Sequence, residues 1–208
     1  MNCARGKLYV ISAPSGAGKT SLVKALLQRN PKLRYSISYT TRKQRSTEQD
    51  GRDYFFVTRE RFEQLIAAGD FLEHAQVFDN FYGTSQRQVQ SLLDAGDHVL
   101  LEIDWQGAQQ IRARMPQQIS IFVLPPSRSE LERRLRGRGT DSEQVIARRL
   151  RDSLGDMSHW NEFEYVIVND DFERAVSDLQ AIVDGSGEQL RAARPEVLEL
   201  IKLMQRTD

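Results

Sequence analysis

The chain has 208 residues, 39% hydrophobic and 28% charged, which is enough apolar material for a substantial core and excludes wholesale disorder. Its 29 Lys and Arg balance 29 Asp and Glu, so no global charge bias points to nucleic acid or an anionic membrane. Apolar runs such as Ser120 to Pro126 are too short for a transmembrane helix, Met1 to Lys7 lacks a signal-peptide core, and the single Cys3 suits a reducing cytosol.

In chain order, Lys7 to Ala13 is a buried-strand pattern that runs into a Gly-rich turn and a helix from about Lys19 to Arg29. His98 to Asp104, Ile119 to Leu124 and Tyr165 to Asn169 are further strands, each followed by a helical pattern. Such alternation predicts an α/β domain with a parallel sheet and right-handed crossovers. Between Tyr35 and Ser85 the rhythm breaks. Short β-like pieces at Tyr35–Thr41, Tyr54–Val57 and Phe71–Phe78, with a helix near Arg59–Ala68, predict an inserted antiparallel subdomain. Ser127 and Glu130 form a capping-box pair ahead of the Leu131/Leu135 helix. Gly137-Arg138-Gly139 then predicts a bend in a mobile cover, and Pro195 starts a terminal helix.

The turn after the first strand carries the strongest chemical signal. Ala13, Pro14, Ser15, Gly16, Ala17, Gly18, Lys19, Thr20 and Ser21 follow a strand and open a helix. Gly16 and Gly18 allow backbone N–H groups to face a concave pocket, the helix N-terminus adds positive potential, and Lys19 adds a full charge. Thr20 offers its hydroxyl to Mg²⁺. The P-loop pattern asks for Gly where this chain has Ala13. By itself the loop implies an NTP-binding protein: kinase, GTPase or ATPase. No Asn/Thr-Lys-x-Asp guanine motif follows, and the chain is short for a motor, so a small kinase is the better reading.

Ser36 to Arg45, Gly51 to Val57, Phe71 to Ala75, Tyr82 to Ser85, Ile103 to Gly107 and Val168 to Asp171 together resemble guanylate kinase, in the family's order and spacing from about Lys7 to Val183. The resemblance implies ATP + GMP ⇌ ADP + GDP with Mg²⁺. It implies an α/β fold: a P-loop parallel sheet flanked by helices, with an inserted small mixed-β GMP-binding subdomain and a helical lid. The corresponding division is 1–34 core, 35–85 GMP-binding insertion, 86–126 core, 127–160 lid, and 161–208 core and C-terminal helices.

Residue chemistry agrees. Arg42 and Arg45 are placed to converge on a dianionic phosphate with bidentate forks, and Tyr54 and Tyr82 add phenolic donors. By resemblance, Ser38, Arg42, Arg45, Tyr54 and Tyr82 bind the GMP phosphate. Guanine presents N1–H and an exocyclic amine as adjacent donors, which one carboxylate can accept. The resemblance makes Glu73 that reader, with Ser38 and Thr84 near O6 and Asp104 on the nitrogen edge. Glu102 ends an apolar strand, where ligands gather in α/β sheets, and could hold a Mg²⁺-bound water. The family usually has Asp there. From Arg128 to Arg151 eight arginines face four acidic residues. By family position Arg134, Arg138 and Arg149 join Lys19 and Arg42 in stabilising transferred charge, while several of the others are solvated helix faces paired with Glu130 or Glu132. Asn169 resembles the residue beside the ATP base. The histidines and tryptophans are expected to bond and pack locally.

The expected partners are ATP and GMP in a cytoplasmic enzyme, with no nucleic acid and no membrane; a homo-oligomer is compatible. The alternatives are a catalytically dead guanylate-kinase-like interaction module, which typically loses the loop lysine and lid arginines, and a related small kinase with another phosphate acceptor.

Overall fold

A computed structural model describes residues 5–77, 79–137 and 143–205. The strands are β1 (Leu8–Ser12), β2 (Leu33–Tyr35), β3 (Tyr39–Thr40), β4 (Phe55–Phe56), β5 (Phe71–Val77), β6 (Asn80–Ser85), β7 (His98–Glu102), β8 (Ile119–Leu124) and β9 (Tyr165–Val168). The helices are α1 (Lys19–Arg29), α2 (Arg59–Ala67), α3 (Gln86–Asp94), α4 (Trp105–Arg114), α5 (Arg128–Arg136), α6 (Glu143–Met157), α7 (Phe172–Val183) and α8 (Pro195–Gln205). A five-stranded sheet has the order β2-β7-β1-β8-β9, and a four-stranded sheet the order β4-β3-β6-β5. In the first, β2 pairs with β7 and β8 with β9 in parallel. All five residues of β1 are buried, as the unbroken apolar run requires of a strand covered on both faces.

The chain divides into two compact units. One comprises Met1–Val10 and Asn30–Ile119, the other Ile11–Arg29 and Ser120–Asp208. In the first, the core of the small sheet is Phe62, Leu65 and Phe71, with Tyr39, Val57, Ile66 and Phe81 packed against it. The Phe62 ring lies 4.7 Å from that of Phe71 and 5.6 Å from that of Phe81. In the second, α1 packs on α7 through apolar stripes that bury Leu22, Val23 and Leu26 on one helix and Ala175, Val176 and Leu179 on the other. Among the described residues, side-chain caps start five helices: Thr58, Ser85, Asp104, Ser127 and Asp171 each accept from a backbone N–H in the first turn.

Three expectations are corrected. The β-like piece at Tyr35–Thr41 is split between sheets. The Ser36 N–H bonds Leu100 O in the large sheet, whereas Ser38 O accepts from Phe55 N beside the small one. The small sheet is not purely antiparallel, because β3 runs parallel to β4 while pairing antiparallel with β6. The capping box is half formed. Ser127 accepts from Glu130 N, but the Glu130 carboxylate turns to Arg133 and Arg134 instead of back to the cap. Arg138 and Gly139 lie outside the described residues.

Candidate active site

The donor half is built on the turn from β1 to α1. Gly16 and Gly18 have φ of 92° and 95°, a left-handed backbone that glycine adopts without a Cβ penalty. Side chains of other segments also crowd both positions. A Cβ on Gly16 would meet Leu131 Cδ1 at 2.9 Å, and one on Gly18 would meet Asn169 Nδ2 at 2.4 Å. The loop carbonyls, which would otherwise point their negative ends at an incoming anion, are tied back. Ala17 O accepts from Asn169 Nδ2 at 2.7 Å and from Arg134 Nη1 at 3.3 Å, and Ser15 O accepts from Ser153 Oγ at 3.1 Å. Asn169 and Ser153 are buried. Engaging these carbonyls turns their negative ends away from a phosphate at the helix N-terminus, and Ala17 N donates within the loop to Pro14 O at 3.2 Å.

Asn169 and Arg134 therefore act on the loop itself, a role that motif spacing alone does not reveal. Arg134 also donates to Asn169 O at 2.9 Å and to Glu130 Oε1 at 2.6 Å. Arg133 and Arg134 hold the Glu130 carboxyl down at about 2, so it stays ionised and keeps this clamp closed. Of the remaining α5 arginines, Arg136 pairs with Glu132 and Glu143, as expected of a solvated helix face. Lys19, Thr20, Ser21 and Arg149 lie at the start of α1 and on α6. Ser153 is missed by sequence reasoning because a serine inside a helix carries no signal of its own.

In the other unit, the small sheet gathers the expected acceptor residues. Register places Thr40 opposite Tyr82, and Glu73 opposite Thr84. The Tyr54 and Tyr82 rings meet edge to face at 6.0 Å, and the Arg42 guanidinium lies 5.3 Å from the Tyr54 ring centroid. Glu48, which no motif singles out, sits among the arginines. It accepts from Arg42 Nη2 at 2.7 Å and from Arg45 N at 2.9 Å. The Arg42 bond holds its carboxyl below the usual carboxylate range despite burial. The Arg45 side chain remains 67% exposed, which leaves it accessible to an anionic ligand. Burial, with the Glu102 carboxylate adding to it, pushes the Tyr54 phenol up to about 12, so it remains a donor at neutral pH. Tyr35, also missed, is raised by burial and by Glu102, to which it hydrogen-bonds.

Glu73 is only 2% exposed. Thr84 Oγ1 donates to its Oε1 at 2.5 Å. Burial pushes its carboxyl up to about 7, against the Thr84 bond; Asp104 adds to the rise and Arg114 opposes it. Asp104 caps α4, accepting from Gly107 N at 2.9 Å and Gln106 Nε2 at 3.0 Å. Ser38 and Thr84 are buried. The structure thus brings Ser38, Arg42, Arg45, Tyr54, Glu73, Tyr82, Thr84, Asp104 and Glu102 into one unit, and the loop residues, Arg134, Arg149 and Asn169 into the other. A buried carboxylate backed by a hydroxyl suits a pair of adjacent N–H donors, and an arginine–tyrosine cluster suits a phosphate.

The family model described as guanylate kinase matches residues 5–186. The chain is 54% identical over 197 residues to the guanylate kinase of Alkalilimnicola ehrlichii, covering 95% of this chain and 97% of that one. It is 58% identical over 177 residues to that of Thiobacillus denitrificans, covering 85% of each. Among solved structures, the guanylate kinase of Anaplasma phagocytophilum superposes with a TM-score of 0.75 at 33% identity, covering 97% of this chain and 96% of that one.

Proposed function

The chain belongs to the guanylate kinase family, and from that membership we propose how its residues carry out the reaction. The enzyme is an ATP:GMP phosphotransferase that yields ADP and GDP. The observation that carries the assignment of roles is the buried Glu73 carboxylate, held by Thr84 beside a cluster of phosphate-binding side chains.

In this reading the loop from Ala13 to Ser21 cradles the ATP phosphates, with Asn169 and Arg134 holding its carbonyls back. Arg42, Arg45, Tyr54 and Tyr82 bind the GMP phosphate, and Arg42 exchanges its Glu48 bond for a phosphate oxygen. Glu73 accepts from guanine N1–H and the amine, Ser38 and Thr84 stand near O6, and Asp104 borders the nitrogen edge. An oxygen of the GMP phosphate attacks the γ-phosphorus in line. The new P–O bond forms as the bond to the β-phosphate oxygen breaks, and the electron pair leaves with ADP, with no covalent enzyme intermediate. Lys19, Arg42, Arg134, Arg138 and Arg149 offset the charge on the transferring group, so catalysis is positioning and electrostatics.

Mg²⁺ would be held by oxygen, the donor type this hard cation prefers: Thr20 would offer a hydroxyl from one unit and Glu102 a carboxylate, through water, from the other. When bound, it would neutralise phosphate charge. No cluster of three or more metal-ligating residues occurs among the described residues, and no helix among them is long and apolar enough to cross a membrane. The balanced charge and the nucleotide substrates support a cytoplasmic enzyme acting on ATP and GMP.

A coupled ADP-release assay over a panel of GMP, AMP, UMP and a sugar phosphate tests the assignment. Turnover confined to GMP is expected. Equal turnover with AMP would overturn guanine reading by Glu73, and no turnover with any acceptor would favour the interaction-module alternative.

A further inference from the structure

Strand β5 is the last strand of the small sheet, so among the described residues the edge facing away from β6 has no strand partner. Helix α4 supplies one with side chains. Gln110 bonds both backbone groups of His74: its Oε1 accepts from His74 N at 3.2 Å and its Nε2 donates to His74 O at 2.7 Å. One carboxamide thus makes the pair of bonds a neighbouring strand residue would make. One turn further, Arg114 Nη1 donates to Phe71 O at 2.8 Å and to Leu72 O at 2.7 Å. These bonds bracket Glu73 on both sides. The Arg114 bonds fall where the β5–β6 register shifts, between Phe71 and Glu73, and the Gln110 bonds fall just after it. Such irregularities re-aim a side chain and weaken the ladder that would otherwise hold it.

The same helix face also meets the carboxylate. Gly107 has no room for a side chain: a Cβ there would lie 2.6 Å from Glu73 Oε2 and 3.2 Å from Asp104 Oδ1. Gly107, Gln110 and Arg114 are spaced i, i+3, i+7, one stripe of a helix. We propose that Gln110 and Arg114 are positioning residues for base recognition, clamping β5 to α4 so that Glu73 presents its carboxylate at a fixed place and angle. This rests on Glu73 being the guanine reader. A carboxylate that must meet two adjacent donors at once is intolerant of small displacements, whereas the phosphate cluster on β3, β6 and the adjoining loop does not depend on this edge.

The test compares GMP with inosine monophosphate, which keeps N1–H and O6 but lacks the amine. Gln110→Met preserves side-chain length and removes both bonds. Expected is an approximately tenfold loss of kcat/KM for GMP, carried mainly by KM, with a smaller loss for inosine monophosphate and an unchanged KM for ATP. Arg114→Lys, which keeps the charge but not the planar fork, should fall between Gln110→Met and the parent, and is the variant to read if Gln110→Met does not fold. In the Glu73→Gln background, Gln110→Met should leave the GMP-to-inosine-monophosphate ratio unchanged, because the group it positions is gone.

Equal losses for both nucleotides, or additive effects in the double variant, would show a scaffold role only and overturn the proposal. So would a selective loss in Glu73→Gln with none in Gln110→Met or Arg114→Lys. If Glu73→Gln itself leaves the ratio unchanged, the guanine-reader assignment fails, and the positioning role falls with it.

Discussion

Glu73 links pH to both stability and binding. Its carboxyl titrates near 7 in the folded protein against an ordinary value of 4.5. Between these values the folded state holds a proton that the unfolded chain has released. Stability therefore falls as pH rises through this window, by roughly 3 kcal/mol in all. Urea unfolding at pH 5 and pH 8 should show a smaller decline in Glu73→Gln than in the parent, and equal declines would contradict the shift. Binding has the opposite sign, since guanine's donors need the ionised form. The parent kcat/KM for GMP should rise as pH passes 7 and then level off. The GMP phosphate also titrates near 6, and Glu73→Gln retains that part alone, so the difference between the two curves isolates the side chain. At pH 8 the substitution should cost GMP about 10- to 150-fold in kcat/KM while AMP use holds or rises. The Glu73 motif was legible in the sequence; its protonation was not, because the burial that causes it comes from residues distant in the chain.

At the scale of elements, the phosphate loop depends on two glycines whose constraints differ from those elsewhere. Gly185 has φ of 80° with open space where a Cβ would stand, whereas Gly18 combines φ of 95° with the Asn169 amide at 2.4 Å from that position. Gly185→Ala should therefore lose only the backbone contribution, about 1–3 kcal/mol of stability. Gly18→Ala should in addition break the Asn169–Ala17 bond and raise the ATP KM at least about tenfold, leaving the GMP KM nearly unchanged. Thermal unfolding and steady-state kinetics on both variants make the comparison; an unchanged ATP KM in Gly18→Ala would contradict the carbonyl clamp. The position of helix α1 was legible, because a Gly-rich turn starts it and an apolar stripe of Leu22, Val23 and Leu26 follows. The division of 35–41 between two sheets was not. Its partners Leu100, Phe55 and Tyr82 lie beyond the window in which local pattern carries information.

For the whole molecule, the proposed acceptor residues fall in one compact unit and the proposed phosphate loop in the other, so each nucleotide should protect its own set of amides. GMP should slow hydrogen exchange in β3, β5 and β6, and a non-hydrolysable ATP analogue should slow it at 13–20 and in α5. A ligand at 100 times its Kd adds about 2.7 kcal/mol to the unit that binds it. Protection of β5 by the ATP analogue alone, with none from GMP, would reverse the assignment of the two halves.

The sequence by itself determined the α/β alternation and the glycine-rich loop between β1 and α1, and its motifs named the acceptor residues proposed above. These rest on local properties: hydrophobic period, glycine at left-handed positions, and side-chain chemistry at motif spacing. Only the tertiary structure decided how those residues are occupied. Arg134 and Asn169 bind loop carbonyls, Glu48 and Lys43 O share the Arg42 guanidinium, and Gln110 and Arg114 bond the outer edge of β5. Each is a hydrogen bond made by a donor with several acceptors within reach of its side chain, and which acceptor it meets is set by the folding of distant segments around it.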